Sequence, residues 1–528
     1  MRDRRSGGRA LALACALAAL AACRADGGSV QRAEASDAAA TTAAPVPNPC
    51  TGFGVPAIQL KPVLTGNFSA VGDQIGADCM AWQSFIALNW QADPASPGQP
   101  DTTVAWSSFG DPASQAPTVW ESYWEAADVF SRPLGTQVLW NTRRPAGKRL
   151  VRESKLDAAN LTLIGFRQAL DHKWLTAQNG ELTYYEVRIN QDEFEFITTN
   201  VFDGADLTTF AGQAACVRAG QGGRGGLNLP VGGGGSATAQ NDVDCRGTPR
   251  IYGRNVGAIE IKAAWRILPS DGSLDGRYLT AQAQIVDPYG KQSSATVGLT
   301  GLHIIRRVPG AAQFVWATFE QIDNSPDQGN TPQGYTDPAL PPNPNQKPRP
   351  GYTYFNPQCD SAADTVYHCG HNQLPDSACA PGQTSGCDPY SAPNQVTRIT
   401  PVDSKANSVT GYVWSQMPAT SVFNYYRLVN VQWPVNSTAI APGATVPLTG
   451  GDITPSSFVA NTTLETYLQN DASSNNCMAC HQFASIAQPR LQTSALVAGL
   501  RRRRVQPVRA NAQYASSYSF LFVTETRR

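Results

Sequence analysis

Residues 257–267 read GAIEIKAAWRI, and residues 278–286 read YLTAQAQIV. In both, apolar side chains alternate with polar or small ones, the two-residue period of a strand with one buried face. Residues 299–307 (LTGLHIIRR) and 313–320 (QFVWATFE) are two further strand candidates. Upstream, Asn179-Gly180 is a hairpin signal ahead of the run Tyr184-Tyr185-Glu186-Val187-Arg188-Ile189. Strand-like sequence returns at 408–434, around Tyr425–Val429, and a last candidate lies at 517–523 (SYSFLFV). The middle of the chain therefore predicts mixed or antiparallel sheet.

Helical spacing is confined to fewer places. In residues 78–90, Trp82, Phe85, Ile86 and Asn89 follow an i, i+3, i+4, i+7 pattern. In residues 118–130 (TVWESYWEAADVF), Trp120, Tyr123, Trp124 and Ala127 form a second stripe. Aromatic stripes of this kind are core. Thr462-Thr463-Leu464-Glu465 fits a capping box that would start a helix over 462–469. The expected class is α+β, β-rich, with long Pro/Gly-rich loops: the chain holds 46 Gly and 38 Pro.

Five segments are expected: a signal peptide (1–22), a flexible tether (23–48), an α+β body (49–323), a Pro/Cys-rich loop region (324–400) and a C-terminal region (401–528). The first is read from Arg2, Arg4, Arg5 and Arg9 followed by the apolar run 10–22, too short to span a bilayer. It ends in Leu20-Ala21-Ala22-Cys23, which resembles a bacterial lipobox, with Cys23 as the lipidation site. Arg24 after that Cys favours sorting to the outer membrane, on its periplasmic side or at the cell surface. Residues 1–22 carry four Arg and one Asp, so the remainder of this formally neutral 528-residue chain stands at about −3. That balance argues against nucleic acid as a partner. The membrane partner is reached through the lipid anchor.

Twelve Cys are present. Setting aside Cys15, Cys23, Cys477 and Cys480 leaves an even set, which in an exported chain reads as disulfides. Proximity pairs Cys50 with Cys79 and Cys216 with Cys245, with two bridges among Cys359, Cys369, Cys379 and Cys387. The Gly-rich run 219–235 lacks a phosphate-loop ending and reads as a disordered loop inside the second bridge. In His368-Cys369-Gly370-His371 a disulfide Cys flanked by loop histidines is preferred over half a metal site.

The chemistry rests on Cys477-Met478-Ala479-Cys480-His481. Thiols at i and i+3 sit one helical turn apart and match the two vinyl groups of a haem, and the adjacent His supplies the proximal iron ligand. A thioredoxin-like motif would need a βαβ frame, and zinc would need two further ligands nearby. The expected cofactor is one covalent haem c, held by Cys477, Cys480 and His481. No Met follows His481, so the sixth ligand must come from upstream. Met417 and His303 lead, with Met80, His172, His368, His371 or a water-bound site open. Arg501–Arg504 could pair with haem propionates, although a solvated basic turn is the commoner meaning of such a run.

Several stretches resemble a family of large, exported, single-haem bacterial proteins described as cytochrome c family. They are Asp78-Cys79-Met80-Ala81-Trp82-Gln83-Ser84-Phe85-Ile86-Ala87-Leu88-Asn89-Trp90, Gly301-Leu302-His303-Ile304, Trp316-Ala317-Thr318-Phe319-Glu320, Asn461-Thr462-Thr463-Leu464-Glu465-Thr466-Tyr467 and the Cys477–His481 motif. The resemblance spans most of residues 50–525. It implies a haem and an envelope location, carries no substrate, and favours His303 as a pocket or ligand residue. Two functions follow as expectations. One is single-electron transfer with a redox partner protein in the envelope. The other is a haem-dependent oxidoreductase, peroxidase-like or a dehydrogenase of an organic substrate, with the large body as its pocket.

Overall fold

In the computed structural model, residues 46–51, 57–64, 66–70, 73–133, 136, 138–142, 147–151, 173–330, 334–359, 369–373, 389–434, 458–469, 476–481, 484–487 and 514–526 are described. The signal and tether segments with Cys23, and also His172, His368, Cys379, Cys387 and Arg501–Arg504, lie outside them, as does the side chain of Cys480.

The alternating runs form one eight-stranded sheet. Its strands are β1 (Trp124–Glu125), β2 (Lys148–Leu150), β3 (Thr183–Ile189), β4 (Ile259–Ile267), β5 (Thr280–Val286), β6 (Gln292–Arg306), β7 (Val315–Gln321) and β8 (Tyr426–Gln432). The order is β1-β3-β4-β6-β5-β2, with β7 on β6 and β8 beyond β7. All pairs are antiparallel except β2 with β5. The long β6 pairs with β5 through Gln292–Gly298 and with β7 through Gly301–Arg306. The class is thus α+β with a mostly antiparallel sheet.

Alternation gives the sheet two unlike faces. Phe319 of β7 faces α1 (Gln74–Leu88), where its ring lies 4.5 Å from Phe85 and 5.1 Å from Trp82. The indole of Trp82 donates to Thr410 Oγ1 at 3.2 Å, tying α1 to α3 (Ser404–Gln416). The opposite face presents Lys262, His303, Trp316, Thr318 and Glu320, all buried. Segment 461–465 covers part of it. Asn461 Nδ2 donates to Thr318 Oγ1 at 3.0 Å and to the Phe319 carbonyl at 2.8 Å, and the Tyr185 hydroxyl donates to the Thr463 carbonyl. Glu320 accepts from Arg427 Nε (3.0 Å), Arg398 Nη2 and Thr462 Oγ1 (2.9 Å). Burial alone would raise its carboxyl, but the two guanidinium groups hold it below the ordinary range.

Some expectations change. Residues 118–130 are not one helix: Trp120–Ser122 is a 3₁₀ turn, Trp124–Glu125 pairs with β3, and α2 spans Ala126–Ser131. Residues 408–416, expected as strand, belong to α3, because Asp403 caps its N-terminus by accepting from Lys405 N and Ala406 N. Of the helix expected over 462–469, only a 3₁₀ turn at Thr466–Leu468 forms. Asn461 caps the turn before it: its Oδ1 accepts from Thr463 N and Leu464 N, while Glu465 Oε2 accepts from Asn461 N. Residues 517–523 make no strand: Ser517 and Tyr518 have φ of 53° and 63°, and a short helix (Leu521–Glu525) follows.

Cys50–Cys79 and Cys216–Cys245 pair as proximity suggested, and Cys359 joins Cys369. The Gly-rich loop between Cys216 and Cys245 follows a helix (Phe210–Ala219) and is pinned by hydrogen bonds: Asp242 accepts from Val231 N at 2.8 Å and Gly232 N at 2.9 Å. Among the described residues no helix is long and apolar enough to cross a membrane.

Candidate functional site around His481

Cys477–His481 forms a single helical turn. Its start is tied to the sheet: the Cys477 N–H donates to Gln432 Oε1, at the end of β8, at 2.9 Å. Met478 is buried in the main core, so it anchors the turn from below. After His481 the chain meets segment 514–516. Ser485 bridges Ala515, Ile486 N donates to the Tyr514 carbonyl at 2.9 Å, and Ser516 N donates to the Ala484 carbonyl at 3.2 Å.

The left-handed pair Ser517–Tyr518 then reverses the chain. Non-glycine residues at positive φ are uncommon and persist where their surroundings hold them. Here Ser517 Oγ donates to the Leu227 carbonyl at 2.7 Å. The reversal brings the Tyr518 carbonyl to 2.7 Å from His481 Nδ1. A carbonyl only accepts, so Nδ1 carries the proton and Nε2 keeps its lone pair for a ligand.

Aromatic rings flank the imidazole, Phe520 at 5.1 Å and Trp316 at 5.6 Å between centroids. Among the described residues, two buried donors beside it have no acceptor: Trp316 Nε1 and the Tyr518 hydroxyl. The two rings are 6.1 Å apart, and burial pushes the Tyr518 phenol up to about 12, so it stays a donor at neutral pH. The site thus offers a fixed imidazole with a basic Nε2, a thiol on the same turn, apolar walls and two hydrogen-bond donors suited to an anionic acceptor.

His303 lies on the same sheet face as Trp316. It is opposite Thr318, two residues along β7 from Trp316, which is about 7 Å of strand. Its Nε2 is 3.3 Å from Glu465 Oε1. Met417 caps the C-terminus of α3, and Met80 lies in α1; both are buried on the Phe319 side of the sheet. Of the two leading candidates for a sixth ligand, the fold therefore puts His303 on the His481 side and Met417 beyond the sheet. His371 sits in the loop region, its Nδ1 3.3 Å from Gln328 Oε1. Among the described residues no cluster of three or more His, Cys, Asp or Glu is arranged to hold a metal ion.

Gln432, Trp316, Glu465 and Tyr518 are site residues that pattern reading takes only as strand, strand, cap and strand. Their common signal is weak, since each acts through tertiary placement. Comparison with protein-family models, curated proteins and solved structures gives no match.

Proposed function

We propose that this chain is an envelope c-type haem protein that transfers single electrons, carrying one haem through Cys477 and Cys480 with His481 as the proximal ligand. The observation that supports this most is the 2.7 Å contact of His481 Nδ1 with the Tyr518 carbonyl, inside a Cys-x-x-Cys-His turn. Histidines that ligate metals commonly donate their other ring N–H to a carbonyl, which fixes the tautomer and raises ligand basicity. When bound, the haem supplies a reversible one-electron iron couple. The chain's own residues do the rest. Trp316 and Phe520 flank the imidazole, Gln432 fixes the turn, and Trp316 Nε1 and Tyr518 OH are the donors that would serve an anionic group of the haem. For the sixth position we favour His303 over Met417.

Three disulfides suit the oxidising side of a membrane, which supports export with Cys23 as a lipid anchor. The second reading, a haem-dependent oxidoreductase, draws on the buried His303 paired with the half-buried Glu465, beside Lys262 on the same face.

Acid–acetone extraction followed by the pyridine haemochrome assay tests the proposal. Haem that stays with the precipitated protein supports it, and haem that extracts completely defeats covalent attachment. A low-spin ferric spectrum indifferent to cyanide and peroxide favours the carrier; a high-spin spectrum that binds them favours the enzyme.

A further inference from the structure

A cavity of about 360 Å³ lies between the Gly-rich loop and the end of β6. That is at the lower end of small-molecule pockets, roughly 300–1,000 Å³. Its walls include Leu229, Val231, Val243 and Ala312, and its charged residues are Arg307, Arg224 and Asp242.

Arg307 follows directly on β6. Its backbone N–H donates to the Ala258 carbonyl at 2.9 Å, and Ala258 N donates to the Pro230 carbonyl at 2.8 Å. Strand end and Gly-rich loop are thereby laced together, and the guanidinium is carried into the cavity wall. The residue is only 6% exposed. Its Nη1 donates to the Ala312 carbonyl at 3.1 Å. Among the described residues Nε has no acceptor, and no hydrogen bond from Nη2 is seen. Nε is sealed from the cavity, so Nη2 is the nitrogen that a ligand there can reach. A guanidinium this buried is costly to leave underused unless something arrives to accept from it. Burial accordingly pushes Arg307 down to about 10, with Asp242 opposing.

Asp242 is not that acceptor. Its two oxygens are already taken by Val231 N and Gly232 N, and it makes no ion pair with Arg307. Arg224, exposed at the mouth, donates to the Asn241 carbonyl at 2.8 Å. Two cations against one carboxylate leave the cavity one positive charge in excess.

We infer that this cavity binds a small monocarboxylate, with Arg307 donating to the carboxylate through Nη2, Arg224 adding attraction at the mouth, and Leu229, Val231, Val243 and Ala312 holding an apolar tail. The single excess charge favours a monoanion over a phosphate dianion. The aliphatic lining favours an organic acid over a small inorganic ion. The inference is independent of the haem reading, since none of these residues belongs to the His481 site.

Isothermal titration calorimetry of the full exported chain, in the haem state in which it is isolated, tests this with butanoate as probe. The expected result is one site that weakens with added salt, with butanamide and inorganic phosphate each binding at least tenfold more weakly. Arg307→Gln should weaken butanoate binding tenfold or more, and Arg224→Ala about threefold. Circular dichroism establishes whether the buried variant folds. If it does not, the exposed Arg224→Ala variant and the butanamide comparison decide. Absence of butanoate binding at millimolar concentration, butanamide binding as well as butanoate, phosphate binding more tightly, or unchanged affinity in the folded Arg variants would each overturn the inference.

Discussion

His481 Nδ1 stands 2.7 Å from the carbonyl oxygen of Tyr518, a residue held at a φ of 63°. Across a gap of 37 positions, a strained reversal supplies one hydrogen-bond acceptor to one imidazole. The pairing separates two roles of His481, a structural donor at Nδ1 and a ligand at Nε2. Asparagine at 481 keeps an N–H close to where Nδ1 donates but offers no iron ligand. His481→Asn should therefore cost no more than about 1–2 kcal/mol in urea denaturation, the worth of one hydrogen bond. The ferric Soret band should nonetheless lose its low-spin form. An unchanged spectrum in a folded H481N protein would remove His481 as ligand.

Gly301 gives a second prediction. A Cβ there would lie 2.3 Å from Thr463 Oγ1 and 2.9 Å from Asn461 Oδ1. Neither atom is free to yield: Asn461 Oδ1 accepts from the backbone of Thr463 and Leu464, and its amide reaches Thr318. Gly301→Ala must therefore displace the segment that holds Glu465 against His303. The expected cost is about 1–3 kcal/mol, as for overpacking elsewhere. Double-mutant analysis with Thr463→Ala, which removes the closest atom, should recover part of it; strict additivity would mean that the clash is not the cause.

How much of this was legible depends on how local each cause is. The runs at 257–267, 278–286, 299–307 and 313–320 read correctly, because alternation is imposed wherever a strand has a buried face. Even so, β6 begins at Gln292, outside its expected range, because Gln292–Ser294 pair with β5 on an exposed stretch with no apolar period to see. Residues 408–416 read as strand because Val409, Tyr412 and Val413 have strand-like propensity; the contrary signal is Asp403, the helix cap four residues ahead of Asn407. Ser517 and Tyr518 could not be placed in advance, since no local rule puts two such residues at positive φ. At the site, the Cys477–His481 motif is contiguous and readable. Trp316, Gln432 and Tyr518 reach it only after the sheet and the C-terminal reversal have formed.

Acid stability should report on Glu186. Its carboxyl accepts from Lys148 Nζ at 2.5 Å, Arg188 Nε at 2.7 Å and Trp265 Nε1 at 2.7 Å. Burial opposes the charge, but Arg188 and Lys148 prevail and hold the group at about 2, against 4.5 for an ordinary Glu. A depressed folded value means that the unfolded chain binds the proton first. The stabilisation is complete above about pH 4.5 and is lost as the pH falls through about 2. It amounts to about 3 kcal/mol. Glu186→Gln should flatten this acid limb of the stability profile. At neutral pH the same variant should cost about 3–5 kcal/mol, because Lys148 and Arg188 stay buried without the anion between them, and only Glu121, 3.3 Å from Lys148 Nζ, remains to offset their charge. Urea titrations across the acid range check both.

The alkaline side should belong to Glu193 and Glu260. Both are fully buried, and both are raised, first by burial. The like charge of the Glu260 carboxyl raises Glu193 further, whereas Lys262 opposes the rise at Glu260. Neither oxygen of Glu193 has a hydrogen-bond partner among the described residues. A raised folded value means that the folded chain keeps a proton which the unfolded chain releases near pH 4.5. The stabilisation is therefore fully present below that value and declines as the pH rises towards the folded values. Glu193→Gln substitutes a neutral side chain whose amide can donate to Glu260. The variant should match the parent near about pH 4 and exceed it near about pH 8, narrowing the fall between them. Equal slopes in parent and variant over that interval would show that the pair is not the group responsible.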